Sequence, residues 1–320
     1  MRLLSLALPL FLFACAHSAP PPATPSPCAP SAPPPAASPS NAPNETATAN
    51  SPASLWDQDP VRLASFPSAY TLNRPTPQQG EPPVQLKKME QKANKITDDE
   101  DWFRKNGLTM PEWEVPNRFR NIKGDSPADI PATYRDNMLV KAIRGEAYAI
   151  AVYGHTFAET SYVALLDTHH HPVAIYDVED VLRPLNTVLS GVAIPAEITW
   201  GALHEGVLYL QSAHRTYASS SKGKNAYITA IDFASGEVMW QSEPLVANAQ
   251  NFILRGDSIV CGYGFTAEPD FIYVLSRSTG AVTSKIPVKS GPSYLIEKDQ
   301  KLFVRTYDTD YVFGISGGKP

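Results

Sequence analysis

Tyr227-Ile228-Thr229-Ala230-Ile231-Asp232-Phe233-Ala234-Ser235-Gly236-Glu237-Val238-Met239-Trp240 is the stretch whose reading decides the fold. It opens with an apolar run rich in β-branched residues and ends that run on Asp232. A Ser-Gly pair follows, and a second apolar run closes on Trp240. Runs of this length, bounded by turn residues, are strand grammar rather than helix grammar. The stretch therefore predicts two antiparallel strands around a tight turn. Gly236 is expected at positive φ, where a side chain would be strained, and Trp240 is expected to be buried.

Working outward, the same plan recurs from Met138 to the C-terminus. One copy has Arg144-Gly145-Glu146, a strand from Ala147 to Tyr153, a loop, and Tyr162 to Asp167. The quoted stretch completes a second copy that starts at Glu205-Gly206 and Val207 to Gln211. A third runs from Arg255-Gly256-Asp257 through Ser258 to Tyr263, then Phe271 to Leu275, with Ser278-Thr279-Gly280 as its turn. The fourth has Lys298-Asp299-Gln300, Lys301 to Tyr307 and Tyr311 to Ile315, and stops without an outer strand.

An apolar strand ending in Asp, a Ser/Thr-Gly turn and a strand closing on Trp resembles the blade signature of PQQ-like β-propeller repeats. The resemblance covers about 180 residues and is best at the second copy. It implies an all-β, propeller-like repeat domain over residues 138–320 with about four recognisable blades. Each blade has an apolar face that only its neighbours can cover. It also implies that an N-terminal strand fills the gap in the last blade, for which Glu114 to Ile122 is the candidate.

Residues 57–137 read as an irregular bridge with short helices. Thr97-Asp98-Asp99-Glu100 forms a capping box, its acids complement the helix dipole, and Gly107 is a suitable stop. A calcium site is the alternative use of these acids, but the alternate spacing and the glycine of a calcium loop are missing. A second short helix is expected from Val84 to Lys95. Before the bridge, residues 15–56 are dominated by Ala, Pro, Ser, Thr and Asn. Between Ala16 and Leu55, twelve of forty residues are proline, and Glu45 is the only formal charge. Such a segment has too little apolar surface to offset its ordering entropy. As polyproline II, at ~3.1 Å per residue, it reads as a disordered stalk of up to about 120 Å.

Met1-Arg2 followed by the uncharged run Leu3 to Ala14 has the plan of a secretory signal peptide and is too short to span a membrane. The run ends Leu12-Phe13-Ala14-Cys15, which resembles the bacterial lipobox; Phe13 is bulkier than that pattern's usual residue. The resemblance implies cleavage after residue 14 and lipid attachment (diacylglycerol, with palmitate-type acyl chains) on Cys15. Two or more chains hold a protein stably to a membrane. An ordinary signal peptide with an incidental cysteine is the alternative. Ala16 and His17 follow the cysteine without an Asp, which in enteric lipoproteins sorts to the outer membrane. The expected place is thus the cell envelope, lipid-anchored in the cell membrane or the outer membrane.

Chemistry is sparse. His169-His170-His171 is the most conspicuous polar cluster. His169 and His171, two apart, are a weak metal candidate for zinc or copper, and an exposed turn is the other reading. Cys28 and Cys261 read as two unpaired thiols, a disulfide between them being the alternative. Asn44-Glu45-Thr46 reads as a chance sequon. There is no Cys-Cys pair, no nucleophile elbow and no phosphate loop, so no catalytic residue and no cofactor are assigned. A net charge of −5 argues against a nucleic-acid partner. The expected function is a membrane-anchored envelope lipoprotein whose non-catalytic module binds an envelope protein or polymer or acts as a scaffold. The alternative is an envelope enzyme of quinoprotein-like or loop-assembled hydrolase type.

Overall fold

The computed structural model describes residues 54–63, 83–95, 98–117 and 121–318. The expected signal peptide, Cys15, Cys28, most of the stalk and Thr97 lie outside them. In chain order the elements are β1 (Val61–Arg62), β2 (Gln85–Ala93), α1 (Asp99–Asn106), β3 (Glu112–Trp113) and β4 (Thr133–Tyr134). Next come β5 (Asn137–Ile143), β6 (Ala149–Gly154), β7 (Tyr162–Leu166), β8 (Pro172–Asp177), α2 (Glu179–Leu182), β9 (Thr187–Leu189) and β10 (Val192–Ile194). Two sets of four follow. One is β11 (Glu197–His204), β12 (Val207–Ala213), β13 (Tyr227–Asp232) and β14 (Val238–Gln241); the other is β15 (Ile253–Arg255), β16 (Ser258–Tyr263), β17 (Asp270–Ser276) and β18 (Val282–Val288). The chain ends with β19 (Pro292–Lys298), β20 (Lys301–Thr306) and β21 (Thr309–Ser316).

These strands make four antiparallel meanders, β5-β6-β7-β8, β11-β12-β13-β14, β15-β16-β17-β18 and β19-β20-β21-β2, which we number sheets 1 to 4. Strand pairing stays within each sheet, and β1, β3 and β4 extend sheet 1. This is the propeller-like repeat architecture expected for the region. The middle strands β6 and β16 are buried at every residue, whereas the outer strand β18 alternates. β16 is covered by sheet 2 on one face and sheet 4 on the other, and β6 by sheet 2 on one face and by Trp56, Trp113, Ile130 and Tyr134 on the other, so both read as continuous apolar runs. Bulges repeat as well. The register shifts between third and fourth strands at Leu165/Leu166, Ala230/Ile231 and Val274/Leu275, which adds twist at equivalent places.

The quoted stretch behaves as its chemistry requires. Gly236 has φ +71°, and Trp240 is 1% exposed. Its indole Nε1 donates to the Arg277 carbonyl of sheet 3 at 3.1 Å, and its ring lies over Gly280. The same device joins sheets 1 and 2, where the Tyr176 hydroxyl donates to the Phe233 carbonyl at 3.0 Å beside Gly236. One aromatic on the outer strand of sheet 1 and one on that of sheet 2 thus reach the turn of the next sheet.

Three expectations are corrected. The segment from Val84 to Lys95 is the strand β2, not a helix. It pairs along β21, from Gln85 opposite Ser316 to Ala93 opposite Thr309. The closing strand of the last blade is therefore β2 and not Glu114 to Ile122. In that second segment Asn117 bridges to Ile122, and Pro116 lacks the amide that a ladder needs. The N-cap of α1 is Asp98 rather than Thr97, its carboxylate accepting from the Glu100 amide at 2.9 Å. The stop at Gly107 is as expected, in left-handed conformation.

Helix α1 packs on sheet 4 through Trp102, Phe103 and Tyr294, and the Arg305 guanidinium donates to Asp99 at 2.5 Å. The chain then crosses to sheet 1. Lys298 Nζ donates to the Gly107 carbonyl at 2.7 Å, Glu112 pairs with Lys141 at 2.6 Å, and β3 joins the inner edge of β5. A chain beginning at Ser54 keeps Trp56, which packs edge-on to Tyr153 with centroids 6.0 Å apart. We expect that chain to unfold cooperatively at the full-length midpoint, and a chain beginning at Asp98, without β2, to fail to fold. Circular dichroism melts of the two proteins check this.

Candidate functional site

The first strands of the four sheets, β5, β11, β15 and β19, meet around one cavity of about 1030 Å³ at their C-terminal ends. Ligand sites in proteins commonly measure ~300–1,000 Å³. The wall is apolar and includes Ile143, Trp200, Leu203, Phe252, Leu254 and Ile296. Leu203, Leu254 and Ile296 are only half-buried, so water at the mouth contacts aliphatic surface. Gly201 lets β11 approach sheet 1 closely: a Cβ there would lie 3.0 Å from Ile150 Cδ1 and 3.1 Å from Leu210 Cδ2.

Buried polar side chains fix these strands. The Thr160 hydroxyl of sheet 1 accepts from the Ile198 amide at 3.0 Å. Gln211 of sheet 2 donates to the Ala249 carbonyl at 2.5 Å. Asn251 accepts from the Leu295 amide at 3.0 Å and donates to its carbonyl at 2.7 Å. Such bonds satisfy backbone groups that burial would otherwise leave unpaired.

The rim carries charge, mostly engaged within the protein. Arg144 pairs with Asp125 at 3.2 Å and lies over the Trp113 ring, and Lys298 holds Gly107 as above. Glu297 is bound by Arg255, and Glu205 by Arg277 at 2.6 Å. His204 lies 3.6 Å from Glu205. Glu146 and Asp299 also line the mouth, as does the exposed ring of Tyr148.

At the opposite ends of the inner strands a second cavity of about 640 Å³ is lined by residues including Glu197, His214, Arg215 and Asp270. His214 is 3% exposed. Its Nδ1 lies 2.7 Å from the Thr216 hydroxyl and its Nε2 3.2 Å from the Lys224 carbonyl. Burial depresses its pKa below the ordinary 6.5, so the folded imidazole stays neutral where the unfolded one gains a proton. The His214 contribution is therefore complete above pH 6.5 and lost as the pH falls below it. Urea midpoints measured from pH 7.5 to 5 should fall more steeply for the native protein than for His214→Gln.

The histidine cluster lies in the turn between β7 and β8 and lines neither cavity. The amides of His169 and His171 donate to Asp167 Oδ1 at 2.8 and 2.9 Å. These bonds hold the Asp167 carboxyl below the usual range. Asp232 has the same place in sheet 2, where Ser235 is its partner. The rings of His169 and His171 are 6.2 Å apart. His170 turns instead to Asp129, at 2.9 Å, and to Trp113. Among the described residues no group of three or more His, Cys, Asp or Glu side chains is placed to hold a metal. Cys261 is fully buried in β16, where burial pushes its thiol pKa up. The cavity escaped sequence reading because its wall comes from four strand ends far apart in the chain. Four similarly placed inner strands were the only available signal.

No protein-family model matches the chain, and no curated protein matches it. Among solved structures it is similar to BamB from Moraxella catarrhalis, at 12% identity over 54% of this chain and 58% of that one, with a TM-score of 0.30. It is also similar to the computationally designed Ika4 protein, at 11% identity over 60% of this chain and 100% of that one, with a TM-score of 0.38. A europium-containing methanol dehydrogenase is 14% identical over 49% of this chain and 26% of its own, with a TM-score of 0.30. The chain thus spans little more than half the length of BamB. Likenesses at these scores carry no argument, and the propeller-like architecture rests on the sheets themselves.

Proposed function

We propose that the protein is an envelope lipoprotein, acylated on Cys15, whose propeller-like module binds a partner and performs no chemistry. The stalk gives the module reach from the membrane. One observation carries the binding reading: the apolar cavity where the inner strands meet, its walls half-open to water and its rim charges largely engaged within the protein. A catalytic site calls for a nucleophile set against a base and an orienting group; the rim offers ion pairs and apolar surface.

The reading has two measurable halves. Metabolic labelling with a clickable palmitate should mark the native protein and leave Cys15→Ala unlabelled and released from membranes. A photo-crosslinking residue at position 203 should give a discrete adduct in cells, and the same residue at exposed position 222 should not. Labelling that persists in Cys15→Ala would end the anchor assignment, and equal adducts from both positions would end the binding assignment.

A further inference from the structure

We infer that the cavity at the C-terminal ends of the inner strands receives an extended peptide segment of another protein, carrying an aliphatic or aromatic side chain next to Lys or Arg. This rests on the binding reading above and names the chemistry of its partner.

Three observations lead there. The first is the wall: Leu203, Leu254 and Ile296 are half-buried around a concave opening, and covering such surface is favourable in proportion to its area. The second is the charge of the rim. Arg144 is paired with Asp125 and Glu297 with Arg255, while Lys298 donates to the neutral Gly107 carbonyl and keeps its charge, one cation against the two acids that follow. Glu146 and Asp299 are exposed acids of the same mouth. Tyr148, 37% exposed, adds an aromatic face of the kind that attracts ammonium and guanidinium groups. The charge left to a ligand is therefore negative, and its complement is a cation.

The third observation selects a peptide over a small amphiphile. Among the described residues, β11, β15 and β19 each have a strand neighbour on one side only. Thr160 takes the free edge at Ile198 and Asn251 that at Leu295, so the edge left to a segment is that of the C-terminal halves of these strands, at the cavity. The corresponding edge of β5 is covered by the protein's own extended segment, with Glu112 opposite Ile143, Trp113 opposite Ala142, and the Arg144 amide donating to the Pro111 carbonyl at 2.9 Å. Pro111 itself lines the cavity. The chain thus already seats one extended segment at this rim. Unpaired strand edges take further segments through backbone hydrogen bonds, while pockets select the side chains.

The test is fluorescence anisotropy of labelled acetyl-Lys-Leu-Leu-Phe-Lys-amide, titrated with the full-length acylated protein in detergent. Saturable binding is expected. Leu254→Asp should weaken it at least about tenfold, because the variant places a carboxylate in the apolar contact. Leu254→Ala, which adds no charge, is the milder companion should the first variant melt early. Glu146→Gln with Asp299→Asn should weaken binding by about threefold and flatten its salt dependence. The counterpart with Glu in place of both Lys should bind at least about tenfold more weakly.

Absence of saturable binding by the Lys peptide, binding untouched by both Leu254 variants, or equal binding of the Glu peptide would each overturn the proposal. Binding of decyltrimethylammonium without the peptide would overturn it in favour of a small amphiphile. A position-203 adduct in cells combined with failure of the Lys peptide would sink this partner chemistry while leaving the binding reading intact. Equal adducts from positions 203 and 222 would end the binding reading and this inference with it.

Discussion

Replacing Trp240 with Ala should lower the unfolding free energy by about 3–5 kcal/mol, the usual cost of deleting a large buried aromatic. The ring is 1% exposed on β14 and serves two sheets. It stands against Tyr209 of its own sheet, with centroids 5.9 Å apart, and over Gly280 of the next. Truncation also strips the Arg277 carbonyl of the indole donor, held at 3.1 Å. The loss thus falls on a contact between blades, where each sheet finds the cover that it lacks alone. Gly280→Ala tests the same contact from the other side. Its Cβ would come 2.4 Å from Trp240 Cε3, at a backbone φ of +68°. The alanine should be costly in the native background and cheaper once Trp240 is gone, since one of its two penalties is the clash with that ring. Urea unfolding of the two single variants and the double variant gives the coupling. Strict additivity would show that the ring and the turn do not act on each other.

The second large effect should come from Arg255. Its side chain is 3% exposed. It donates to Glu297, to Gln300 Oε1 at 2.6 Å and to the Gly317 carbonyl at 3.2 Å, so one guanidinium ties β15 to β19, its turn and the end of the chain. Removing one partner of a buried ion pair costs ~3–5 kcal/mol. The Glu297 side chain remains 22% exposed and regains some hydration, which places Arg255→Met near the lower end, at about 3 kcal/mol. Arg255→Lys should recover little, because one ammonium cannot reproduce a planar fork aimed at three acceptors. Glu297→Gln keeps an acceptor but leaves the buried guanidinium without its counter-charge, and should cost about 2–3 kcal/mol. Guanidinium unfolding ranks the three variants. A methionine variant within 0.5 kcal/mol of the native protein, the range usual for surface changes, would mean that the junction between sheets 3 and 4 does not depend on this residue.

The blades were legible in the sequence wherever local chemistry decides structure. Gly236 and Gly280 mark turns that require positive φ. The strand-ending Asp232 bonds the turn that follows it, and Trp240 was readable as a buried closing residue. Helix α1 was legible for the same reason, with acids in its first turn and Gly107 at its end, and only its cap moved by one residue. The closing strand was not. Gln85-Leu86-Lys87-Lys88-Met89-Glu90-Gln91-Lys92-Ala93 consists of residues that favour helix, but those preferences differ by less than about 0.7 kcal/mol per residue. Pairing with β21, more than two hundred positions away, outweighs them. The cavity was hidden more completely. Ile143, Trp200, Phe252 and Leu295 each read as an ordinary apolar residue in or beside a strand, and no spacing links them. They converge only because four separate sheets pack their first strands around one opening. Turn chemistry and periodicity are written within a few residues of each other, whereas a site assembled from four blades exists only after each blade has covered its neighbour.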